Sequence, residues 1–250
     1  MIVWKGMVIM KYLAVDIEST GLNPDSAQMI EIGAVVFEDG TELSSFSKLI
    51  GVDQPLPLRI VELTGITDQM LKGKPNVHDV MREFLLFCEE YCQESNVILG
   101  HNVMFDYSFL KSAAVNLGEN YDRKGIDTLK IARVLHKDFE SKTLEAMCRY
   151  YQIQQQINHR ALEDARAAAQ LFECMKARFH DLNPEEFKPV TLSYSPKKQQ
   201  PMTEKQRKYL TDLIKYHQLE IPPLMEEFTK SKASRFIDKI ILDHGMLSRR

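Results

Sequence analysis

Residues 13–24 read LAVDIESTGLNP. The run KYLAVDI, residues 11–17, is apolar and bounded by turn residues, so it reads as a buried strand. Side chains two apart on a strand point the same way, so Asp16 and Glu18 project together near its end. Two carboxylates in an apolar setting are costly unless something neutralises them. The Ser19-Thr20-Gly21 exit places them at the rim of a sheet, where ligands bind. Taken alone, an Asp-x-Glu triplet equally fits a solvent-facing pair on an edge strand, because 35 of the 250 residues are acidic.

Working outward, residues 29–40 form a second strand pattern ending at Asp39-Gly40, a hairpin turn signal, and residues 41–50 read as the returning strand. A loop with Pro55 and Pro57 follows, then short helical turns over 58–67. Helical periodicity covers 77–92 and about 103–117, with a short apolar strand at 96–102. Residues 126–136 read as a strand end running into a helix, and 143–151 and 160–179 as helices, the last rich in alanine, the best helix former. A hairpin meander followed by alternating helices and strands predicts an α/β domain, a mixed sheet flanked by helices, over residues 1–180. Residues 181–202, with four prolines, read as a linker. A small helical module is expected over 203–250, opening on a Thr203/Gln206 capping box. Residues 1–9 precede a second methionine, Met10, and are assigned no role.

Composition sets limits. Hydrophobic residues make up 44% and charged residues 27%, as in a soluble globular chain. No apolar run approaches the roughly 18 residues needed to span a membrane, and the start is too short for a signal peptide core. A cytoplasmic protein without membrane contact is expected. Cys88 and Cys92 share a helical face, but no CxxC or Cys/His cluster accompanies them, so free thiols in a reducing compartment are expected. The net charge of −3 hides an asymmetry: residues 188–250 carry 13 Lys/Arg against 7 Asp/Glu, and residues 1–187 carry 19 against 28. A basic tail module can grip a polyanion, or it can simply be a solvated surface.

Two further stretches carry chemistry. In LGHNVMFDYSFL, residues 99–110, Asp106 falls in the first turn of a helix, where an acid also matches the helix dipole. Phe105 and Phe109 share a helical face, the usual pattern of core residues. In NHRALEDARAAA, residues 158–169, His159 and Asp164 would lie about 140° apart on one helix. They can face one site only if His159 sits in the loop before the helix.

The ordered set of Asp16, Glu18, Asp106, His159 and Asp164 resembles the DEDDh branch of the DnaQ-like 3′→5′ exonucleases, which have an RNase H-like fold. VDIESTGL, GHNVMFDYSFL and HRALEDA carry the likeness, LTGITDQML adds to it, and together they span residues 12–175. Ser19 stands where threonine is commoner in that family. The resemblance implies that Asp16, Glu18, Asp106 and Asp164 hold two divalent cations, Mg²⁺ or Mn²⁺, with His159 as general base. It implies release of nucleoside 5′-monophosphates from the 3′ end of single-stranded DNA or RNA. Thr20, Gly21, Leu22, Asn102 and Phe105 are the implied substrate contacts. DNA is the favoured polymer, in the manner of a DNA polymerase III epsilon subunit, with DNA repair or proofreading as the setting. The tail module is the expected place for a polymerase or other protein partner. An RNA 3′-end-processing exoribonuclease is the alternative on the same site. A non-catalytic nucleic-acid-binding scaffold is the alternative of another class, which a missing acid would have favoured.

Overall fold

A computed structural model describes residues 11–93, 95–154, 159–197, 200–222 and 225–247. It divides into two compact units, with the boundary between Pro196 and Lys197.

The first unit is built on a six-stranded mixed sheet. The strands are β1 (Lys11–Ser19), β2 (Met29–Glu38), β3 (Thr41–Leu49), β4 (Val97–Gly100), β5 (Lys124–Asp127) and β6 (Val190–Thr191), in the spatial order β3-β2-β1-β4-β5-β6. The hairpin meander β1–β2–β3 is antiparallel, and β4 and β5 run parallel to β1. The helices are α1 (Leu58–Thr64), α2 (Asp68–Leu71), α3 (Val77–Tyr91), α4 (Val103–Leu117), α5 (Thr128–Leu135), α6 (Leu144–Tyr151) and α7 (Ala161–Phe179). This is the α/β, RNase H-like mixed sheet flanked by helices that the sequence predicts.

The two faces of β1 divide the core. Leu13, Val15 and Ile17 pack with Val80, Met81 and Phe84 of α3 and with residues of α4. Tyr12 and Ala14 point the other way, towards Ile131 of α5, Met147 of α6 and the α7 residues Ala165, Ala168 and Phe172. The period of two then places Asp16 and Glu18 on the α7 face as well. On β2 the same face carries Glu31, Gly33 and Val35, and Gly33 pairs with Asp16 across the strands. A methyl group on Gly33 would stand 2.1 Å from the Ala161 carbonyl carbon and the Leu162 nitrogen. The start of α7 therefore lies directly on the β2 backbone, in a place only glycine permits.

The expected linker is corrected over its first half. Pro184–Phe187 forms a 3₁₀ turn with Phe187 buried, and β6 pairs antiparallel with β5. Leu192 and Tyr194 then join the core, and Leu192 occupies the space beside Gly125. Prolines punctuate this segment without preventing a two-residue strand whose partner is an otherwise open edge.

The second unit contains α8 (Glu204–Tyr216) and α9 (Lys230–His244). The Thr203/Gln206 capping box is formed, each residue bonding the other's backbone. Leu210, Leu213 and Ile214 pack with Phe228, Ala233, Ile237 and Ile240. All four cysteines are free, with Cys88 and Cys148 buried. Among the described residues no helix is long and apolar enough to cross a membrane.

Candidate active site

A cleft of about 330 Å³ opens at the carboxyl ends of β1 and β4. Asp16, Glu18, Asp106, His159 and Asp164 all line it, from four different segments, together with Asn102 and Phe105. Carboxylate oxygens of Asp16, Glu18 and Asp164 lie within 4.8 Å of one another.

Each segment reaches the cleft for a local reason. Asn102 adopts the left-handed conformation, φ 77°, which asparagine tolerates better than most residues. It turns β4 into α4, so that Asp106 falls in the first helical turn. The Asp106 Oδ1 accepts the Ile17 N–H at 3.0 Å, which fastens α4 to the strand carrying the other acids. His159 is also left-handed, φ 58°, and precedes α7, as the requirement for a shared site with Asp164 predicts.

The electrostatics are those of crowded acids. Burial pushes the Asp16 carboxyl well above the usual range, and the charges of Asp106, Asp164 and Glu18 add to it. Glu18 is pushed up to about 8 by burial and by Asp164, Glu31 and Asp106, with Arg160 opposing. Asp106 is raised to about 8 by burial, against the lowering effect of its bond from Ile17. Such a cluster holds protons or cations; three converging carboxylates with a fourth beside them fit oxygen-seeking divalent ions. Asp106 stands outside the tight triplet, with one oxygen committed to the backbone.

Thr20, Gly21 and Leu22 are not among the cleft-lining residues. Thr20 Oγ1 accepts the Gln28 N–H at 2.9 Å, and Leu22 stands exposed on the loop after β1.

Several contributors carry no signal in the linear sequence. Glu31 is 1% exposed and binds Arg160, the residue between His159 and α7. His101 lines the cleft, with Nε2 2.8 Å from the Lys142 carbonyl and Nδ1 2.9 Å from Thr128 Oγ1. A carbonyl only accepts, so Nε2 carries the proton. That bond holds the segment whose Thr143, Leu144 and Glu145 form the opposite wall. These pairings join residues 41 and 129 positions apart, which no spacing rule reaches.

A family model described as an exonuclease matches residues 13–172. The chain is 32% identical over 163 residues to a PolC-type DNA polymerase III of Clostridium perfringens, covering 65% of this chain and 11% of that protein. It is 37% identical over 162 residues to the PolC-type DNA polymerase III of Thermotoga petrophila, covering 64% and 11%. The chain thus spans about a tenth of the length of these curated relatives. Among solved structures, exonuclease X with 5′-overhanging duplex DNA has a TM-score of 0.54 at 24% identity, covering 67% of this chain and 92% of that one. Exonuclease I of E. coli with a dA16 oligonucleotide has a TM-score of 0.60 at 18% identity, covering 69% and 42%. S. pombe Pop2p in its Mg²⁺- and Mn²⁺-bound form has a TM-score of 0.57 at 18% identity, covering 68% and 84%.

Proposed function

Because the chain belongs to the exonuclease family, in its DnaQ-like branch on an RNase H-like fold, we propose that it trims the 3′ end of single-stranded nucleic acid, with DNA as the favoured polymer. The observation that carries this reading is the meeting of Asp16, Glu18, Asp106, Asp164 and His159 in one cleft.

Two divalent cations, Mg²⁺ or Mn²⁺, held by Asp16, Glu18, Asp106 and Asp164, would supply charge stabilisation at the phosphoryl oxygens and acidify a bound water. His159 is exposed at the mouth of the cleft, beside Asp164, and takes the proton from the attacking water on an imidazole nitrogen. The water's oxygen bonds to phosphorus as the bond to the leaving 3′ oxygen breaks. The product is a nucleoside 5′-monophosphate. Phe105 offers an apolar face in the cleft for the terminal base, and Asn102 an amide for sugar or base. Thr20, Gly21 and Leu22 lie outside the cleft lining, on the loop after β1, and are proposed as contacts for substrate that extends beyond it. The likeness to PolC-type polymerases supports DNA proofreading or repair in the cytoplasm as the setting. A polymerase or other protein is the proposed partner of the basic second unit.

The test uses 5′-labelled DNA and RNA of one sequence with Mg²⁺ or Mn²⁺, and EDTA and Asp16→Ala as controls. A ladder shortening from the 3′ end, absent in both controls, is expected, with DNA shortened faster. Faster RNA shortening reverses the polymer assignment. Binding without shortening overturns the catalytic reading and leaves a scaffold.

A further inference from the structure

The helix α5 begins behind the wall of the cleft, bonded to two residues that line it. Its N-cap Asp127 accepts the N–H groups of Leu129 and Lys130, and the same Oδ1 accepts the Asn102 N–H at 3.0 Å. Thr128 is bonded to His101. Both His101 and Asn102 line the cleft, so the first turn of α5 is bolted to it.

The inner face of α5 buries Ile131 and Ala132, and the outer face exposes Lys130 and Arg133. Residues three apart are neighbours on a helix surface, so Lys130 and Arg133 adjoin, and Lys137 is exposed in the turn just after α5. Among the described residues no carboxylate lies within ion-pair distance of these three side chains. By contrast Lys48, Lys111, Arg149, Arg160 and Arg166 each hold one. Arg133 is near enough to His101 to add its charge to the lowering that burial imposes on the imidazole pKa.

The catalytic unit sets an electrostatic problem. Residues 1–187 carry nine more acids than bases, and the cleft is lined by five of those acids, Glu145 included. A polyanion approaching it is repelled unless unpaired cations line its path. We propose that Lys130, Arg133 and Lys137 form a phosphate-binding ridge that carries the single strand away from the cleft, gripping phosphates upstream of the one being cleaved. The nature of the polymer rests on the exonuclease reading; the ridge itself is tested by binding alone.

The experiment measures anisotropy of a fluorescein-labelled 20-residue oligothymidylate with the full chain in EDTA, across a salt series. The triple variant Lys130→Ala/Arg133→Ala/Lys137→Ala is expected to raise Kd at least about 10-fold at low salt. Its slope of log K against log salt becomes shallower by about two, at about 0.7 for each phosphate no longer neutralised. The charge-keeping pair Lys130→Arg/Lys137→Arg retains the wild-type slope. If the triple variant does not fold, Lys130→Ala and Lys137→Ala singly are each expected to remove about one third of the effect. An unchanged Kd and slope in the folded triple variant overturns the ridge. So does an equal loss in Lys72→Ala/Lys74→Ala, which alters two exposed lysines after α2 and would reveal diffuse charge only. A ridge-dependent slope in a wild-type protein that never shortens DNA leaves the ridge standing and removes the exonuclease reading. Shortening with ridge-independent binding does the reverse.

Discussion

Glu31 receives Arg160 side-on: Nη2 donates to one carboxylate oxygen at 2.7 Å and Nε to the other at 3.1 Å, where the Ala161 N–H also donates at 3.1 Å. Bidentate pairs fix geometry as well as charge. This one ties β2 to the residue between His159 and α7, so it orients the helix that delivers Asp164. Arg160→Ala leaves a carboxylate buried without its partner, which costs about 3 kcal/mol or more. Urea unfolding is expected to show that loss, with trimming activity reduced as well. Stability within about 1 kcal/mol of wild type would mean that the pair has no anchoring role.

Gly33 makes the same junction possible by having no side chain. Gly33→Ala places a carbon where the α7 backbone already is. Because backbone cannot step aside as a flexible side chain can, the helix must lift off the sheet, and overpacking of this kind costs about 1–3 kcal/mol or more. The expected outcome is a lower unfolding midpoint together with weakened Mn²⁺ binding by calorimetry. Wild-type values for both would contradict the close approach.

The acid cluster predicts how metal and pH act together. Glu18 rises from 4.5 to about 8 and Asp106 from 3.8 to about 8 on folding. The folded chain therefore keeps protons that the unfolded chain has released. This contribution to stability is fully present below pH 3.8 and is lost as pH rises to about 8. Metal-free protein should lose thermal stability across that window. A cation replaces the protons, so the gain in Tm on adding Mn²⁺ should be larger at about pH 8.5 than at about pH 5.5. A gain independent of pH would show that the carboxylates titrate normally. Asp16→Asn should raise the Tm of the metal-free protein at about pH 8 by a few degrees, about the effect of 1 kcal/mol on a chain this size.

His159→Asn tests the proton acceptor. General-base contributions are about 10²–10⁴-fold, so kcat should fall within that range. Oligonucleotide binding in EDTA should be within about twofold of wild type, since the imidazole is assigned a proton and no phosphate. Unchanged kcat would assign the proton transfer elsewhere.

The acids and His159 were legible because they recur in order along the chain, each beside an element end that a pattern rule can find. Asp16 and Glu18 needed only the period of two, and the place of His159 in the loop before α7 followed from the angle to Asp164, though its left-handed conformation did not. Glu31 and Gly33 were not legible. Their roles come from the register of β2 against β1 and from the line along which α7 crosses the sheet, relationships that a linear pattern does not encode. The first half of the expected linker was misjudged for a related reason. Proline content speaks against regular structure locally, while β6 exists because β5 offers it unpaired backbone groups. Residues 155–158, just before His159, lie outside the described residues.

The segment beyond α7 separates two kinds of boundary. The family-model match ends at Phe172, yet Val190 and Thr191 pair with β5, and Leu192 fills the space over Gly125. A chain cut after residue 180 would retain the four cleft acids and His159 and lose the cover of that edge. The exposed strand would then offer its N–H and C=O groups to a second copy, a common route to aggregation. The stretch that the family model matches and the compact unit of the fold are thus of different lengths, and the difference includes the strap that ends at Pro196.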